Sequence, residues 1–105
     1  MEKAIDPVLS RFRAALDKTY GERLERAVLF GSRARGDARP DSDYDIAVFL
    51  KHPDSFWKES GHLAELETDI LYDTGAVINA LPFSAGSYRE NSPLMHELAR
   101  DGLDL

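Results

Sequence analysis

"LFGSRARGDARPDSDYDIAVF", residues 29–49, carries an apolar run into Gly31-Ser32, crosses ten mostly polar residues, and returns to an apolar run through Asp43-Tyr44-Asp45. The upstream run, "RAVLF" at 26–30, reads as a short strand. The downstream run, "DYDIAVFL" at 43–50, is apolar on both faces after its first residues, which marks a central strand. A polar turn with one helical turn from Gly31 joins them. This strand–turn–strand unit sets the fold, and its two aspartates open a strand bound for the core.

Outward from it, Asp6-Pro7 offers a capping side chain followed by proline in the first turn. Leu9, Phe12, Leu16 and Tyr20 then recur at helical spacing up to Gly21. Downstream, His52-Pro53-Asp54 breaks the chain and caps a helix whose inward face is Phe56, Leu63, Leu66 and Ile70, ending at Asp73-Thr74-Gly75. "AVINALPF", 76–83, is a third strand closed by Pro82, and Ser92-Pro93 starts a last helix with Leu94, Met95 and Leu98 inward, ended by Gly102. Trp57 is expected in the core or as an edge anchor, and Tyr44, Tyr72 and Tyr88 in packing or at an interface. The order predicts an α/β (α+β) fold, a small sheet covered by helices. With 105 residues and no long linker, residues 1–105 are expected to form a single domain.

No cysteine is present, so disulfides and thiolate metal sites are excluded. No apolar run approaches a membrane span, and acids and an early proline stand where a leader would be apolar, so a cytoplasmic protein is expected. The net charge of −6 argues against general binding to nucleic acid or to an anionic membrane. Arg33, Arg35 and Arg39 nevertheless crowd one short loop, a local patch suited to a small anionic ligand.

Strand alternation points Asp43 and Asp45 the same way, with Cα atoms about 6.5–7 Å apart. Paired carboxylates at the rim of a core repel unless a cation lies between them. Mg2+ suits the place because it takes hard oxygen ligands and shares its shell with phosphate. Glycine at 31 lets backbone approach an anion, and the Ser32 hydroxyl and nearby N–H groups can hold phosphate oxygens. Taken singly, a Gly-Ser turn is commonly only a turn, and Asp-x-Asp commonly two solvated acids.

Gly31-Ser32, ten residues, then Asp43-Tyr44-Asp45 resembles the nucleotidyltransferase signature of the polymerase β-like superfamily. With Arg33, Arg35-Gly36, Pro40-x-Ser42 and the short chain, it resembles the minimal nucleotidyltransferase (MNT) group. The resemblance implies a nucleotidyltransferase fold and transfer of AMP from ATP to a hydroxyl. By it, Asp43 and Asp45 are catalytic and hold Mg2+, while Gly31, Ser32, Arg33 and Arg35 bind the nucleoside triphosphate. A third carboxylate usually comes from a later strand, where this chain offers only Asn79; Asp69 and Asp73 read as surface acids. The resemblance also implies a HEPN-family ribonuclease toxin as partner in a hetero-oligomer, with this chain as antitoxin modifying a tyrosine. The alternative is a binding-only antitoxin on the same scaffold.

Overall fold

The protein is described by a computed structural model covering residues 6–105. The elements run α1 (Pro7–Tyr20), β1 (Leu24–Phe30), α2 (Ser32–Arg35), β2 (Tyr44–Leu50), α3 (Phe56–Thr74), β3 (Ile78–Ser84), α4 (Pro93–Asp101) and β4 (Leu103–Asp104). One four-stranded sheet has the order β3-β2-β1-β4. β2 pairs antiparallel with β1 and parallel with β3, and β4 pairs antiparallel with β1. This is the mixed α/β fold expected, with β2 inside the sheet and α3 as the crossover that a parallel β2–β3 pair demands.

Alternation along β2 divides the core. Tyr44, Ile46, Val48 and Leu50 join Leu9, Phe12 and Leu16 of α1 and Leu63 and Ile70 of α3 on one face. Ala47 and Phe49 join Val28, Met95 and Leu98 on the face covered by α4. Asp6 caps α1 by accepting from the Val8 N–H at 2.8 Å, as the sequence indicated.

Four local expectations change. The cap of α3 is Ser55, accepting from the Lys58 N–H, while Asp54 accepts from the Ser55 N–H and its own N–H donates to Glu59. Pro82 lies within β3 rather than closing it; β3 is an edge strand, where a missing N–H costs no ladder bond. A two-residue strand, β4, follows the last helix. Trp57 is 81 % exposed and Phe56 55 % exposed, because the buried stripe of α3 is Glu59, Leu63 and Ile70. Glu59 occupies that stripe because Arg23 Nη2 donates to its Oε2 at 2.6 Å, which supplies the partner a buried acid needs.

Tyr72 stands in solvent, whereas Tyr44 is buried and Tyr88 packs edge-on against Phe49. Asp69 and Asp73 are exposed acids, the latter paired with Arg11.

Candidate functional site

The β1–β2 register brings Phe30 opposite Asp45, so the chain leaves β1 at Gly31 directly beside that carboxylate. Gly31 adopts φ 76°, ψ −156°, and a Cβ there would lie 2.6 Å from Asp45 Oδ2. Both facts require glycine: the backbone region is essentially closed to other residues, and the acid occupies the side-chain space. The chain turns at once into α2, whose leading N–H groups have no intrahelical acceptors, beginning at Ser32.

On the other flank, β2 and β3 align Asp45 with Asn79. The Asn79 amide Nδ2 donates to Asp43 Oδ2 at 3.0 Å and also bears on Asp45, so one neutral donor lies against both acids. Asp43 is exposed and Asp45 partly buried. Burial pushes the Asp45 carboxyl above the ordinary range. The Asn79 hydrogen bond opposes this shift, the Asp43 and Glu97 charges add to it, and Arg35 counters it. The pair thus sits at the edge of the α4-covered face, with Ala47 and Phe49 beneath.

The arginines separate. Arg35 faces the acids' side, with Nη1 3.6 Å from Glu97 Oε2 and Nε 3.3 Å from Asp37 Oδ2. Arg33 goes elsewhere: Nε donates to the Ser42 carbonyl at 2.9 Å and Nη2 to the Pro40 carbonyl at 3.1 Å, and the guanidinium lies 3.9 Å from the Tyr44 ring centroid. Tyr44 belongs to the opposite face of β2 and donates to Asp6 at 2.9 Å. Arg33 therefore ties down the polar loop from behind, which sequence spacing could not distinguish from a place at the acids.

Glu97 is the residue that sequence reasoning missed. It accepts from the Gly31 N–H at 3.2 Å, across 66 residues, with no motif to announce it. Among the described residues no group of three or more His, Asp or Glu side chains stands close enough to cage a cation. What the pair offers is two hard oxygen donors on an open rim, which fits Mg2+, an ion that keeps water and phosphate in its shell.

Residues 9–94 match the nucleotidyltransferase domain family. The chain belongs to that family. A Methanocaldococcus jannaschii protein provisionally named a protein adenylyltransferase is 36 % identical over 80 residues, which cover 76 % of this chain and 70 % of that protein. Among solved structures, a toxin–antitoxin with AMP-PNP aligns at TM-score 0.61 and 19 % identity, covering 89 % of this chain and 68 % of the other. A Shewanella oneidensis structure of a tri-AMPylated HEPN toxin in complex with an MNT antitoxin aligns at TM-score 0.54 and 15 % identity, covering 92 % and 70 %. These structural likenesses establish the nucleotidyltransferase fold, and the family is one of enzymes. No helix among the described residues is long and apolar enough to cross a membrane.

Proposed function

We propose that this chain is a single-domain, Mg2+-dependent nucleotidyltransferase that moves AMP from ATP to a tyrosine hydroxyl of a HEPN-type ribonuclease, acting in the cytoplasm as its antitoxin within a hetero-oligomer. The observation that carries the reading is the Asp43–Asp45 pair, flanked by Asn79 on one side and by the Gly31 turn on the other. Asp43 and Asp45 would hold the ion, which when bound neutralises charge on the triphosphate and on the departing pyrophosphate.

The chain's own residues do the rest. Gly31 brings backbone close, Ser32 and the adjoining N–H groups hold phosphate oxygens, and Arg35 adds charge on the same side. Arg33 keeps the loop in shape. The acceptor oxygen bonds to the α-phosphorus as the bond from that phosphorus to the bridging oxygen breaks, releasing pyrophosphate; the hydroxyl proton leaves to water at this open rim. Asn79, bearing no charge, takes no proton. The provisional protein adenylyltransferase name of the archaeal relative and the AMPylated HEPN toxin in the structural neighbour support this substrate pair.

The test is incubation with α-labelled ATP, Mg2+ and the helical partner. Label on the partner, lost when Asp43 and Asp45 are both changed to Asn, is expected; no such label overturns the enzymatic reading. Asn79 in place of a third acid favours one other reading, neutralisation by contact alone. In that case the Asp43→Asn, Asp45→Asn protein still silences the partner.

A further inference from the structure

We propose that Glu97 is a positioning residue for the nucleotide: from α4, it clamps the Gly31 turn and holds Arg35 on the side of the Asp43–Asp45 pair. This rests on the nucleotide-binding reading above. One carboxylate oxygen, Oε2, meets both the Gly31 N–H at 3.2 Å and Arg35 Nη1 at 3.6 Å. Met95 and Leu98, buried on either side of Glu97 in α4, fix that helix against Val28 and Phe49, so the carboxylate is delivered from a rigid support. A helix anchored in the core thereby reaches the turn where the chain passes Asp45.

Two features indicate more than a structural tie. A neutral acceptor would hold the Gly31 N–H without placing a further negative charge near Asp45; an acid at this place is explained by Arg35. Arg35 also has a competitor, since Asp37, two residues on and more exposed, contacts its Nε at 3.3 Å. Without Glu97 the guanidinium is left to Asp37 and turns away from the acids, taking its charge from the triphosphate.

The experiment is a double-mutant cycle on ATP affinity in Mg2+, with Glu97→Ala, Arg35→Ala and the pair, alongside Glu97→Gln and thermal melts of each. Glu97→Ala is expected to weaken ATP binding about tenfold, the scale of one charge-assisted contact. The double variant should lose less than the sum of the two single losses, because the part of the Glu97 effect that passes through Arg35 is already gone. Glu97→Gln, of the same shape and still able to accept from Gly31, should fall between wild type and Glu97→Ala, and in turnover KM for ATP should rise more than kcat falls.

Additive losses, unchanged affinity, or tighter binding by Glu97→Ala would overturn the proposal, the last because the acid would then be obstructing phosphate. Should the wild-type chain itself bind no ATP, the nucleotide-binding reading falls and this inference with it. A loss confined to the Glu97 variants, with Arg35→Ala binding as tightly as wild type, would overturn the inference and leave the nucleotide-binding reading standing.

Discussion

Replacing Gly31 by alanine tests the geometry at its tightest point. The residue sits at φ 76°, ψ −156°, a region that costs other residues about 1–3 kcal/mol. Its new methyl group would stand 2.6 Å from Asp45 Oδ2, closer than such contacts are found, so the carboxylate must swing away. Overpacking of this kind costs about 1–3 kcal/mol, toward the low end here because the opposing atom is a side-chain terminus. Together these give a destabilisation of about 3 kcal/mol, or a Tm fall of roughly 12–24 °C for a domain of this size.

The control is Gly36→Ala. Its φ is also positive, at 86°, but nothing lies within 4 Å of the added carbon, so left-handed strain of about 1 kcal/mol is the only cost. Thermal melts and Mg2+ titration of both variants separate strain from displacement of Asp45. Gly31→Ala should lose more Tm and should also lose Mg2+ affinity, while Gly36→Ala keeps it. Equal effects of the two substitutions on both measurements would refute the claim that Gly31 is shaped around the acid.

Three further outcomes follow from the same contacts. Asp45→Asn should raise Tm at neutral pH without metal, since the folded carboxyl is pushed up by burial and by its acidic neighbours. The gain should vanish near pH 3, where the acid is already neutral in both states. Asn79→Asp adds a third carboxylate beside the pair, so it should lower metal-free Tm and tighten Mg2+ binding by roughly tenfold, both read by melts across a Mg2+ series. Glu67 lies partly buried against β3, where its Oε2 accepts from the Ala80 N–H at 2.9 Å, and burial raises its pKa although that bond opposes the shift. Its folded pKa exceeds the unfolded value, so its contribution to stability is complete below the unfolded pKa and is lost as pH rises through the folded one. Glu67→Gln should therefore raise Tm at pH 7 and show no advantage below about pH 4.

Most of the fold was legible because local signals and burial agree. Leu9, Phe12, Leu16 and Tyr20 all turn inward on α1, and the doubly apolar run of β2 is the strand between β1 and β3. Trp57 was misread because hydrophobicity favoured burial, while the stripe of α3 is set by Leu63 and Ile70 and completed by a charged residue whose partner, Arg23, lies 36 residues away. β4 is two residues long, too short for any period to show.

At the site, the common direction of Asp43 and Asp45 follows from strand alternation, while the place of Asn79 beside them was indicated only by the family resemblance, which puts a third ligand on a later strand. Arg33 and Glu97 do not. Whether an arginine in a ten-residue loop faces the acids or the loop's own carbonyls depends on tertiary contact, as does a helix that returns to Gly31 across 66 residues.

The most direct measurement is calorimetric titration of ATP into the chain, with and without Mg2+, repeated for Asp43→Asn, Asp45→Asn. Saturable uptake that requires the ion and disappears in the double variant is the predicted result. Uptake of equal strength in the variant, or none by the wild-type chain, would contradict the assignment of these carboxylates as the nucleotide-binding centre.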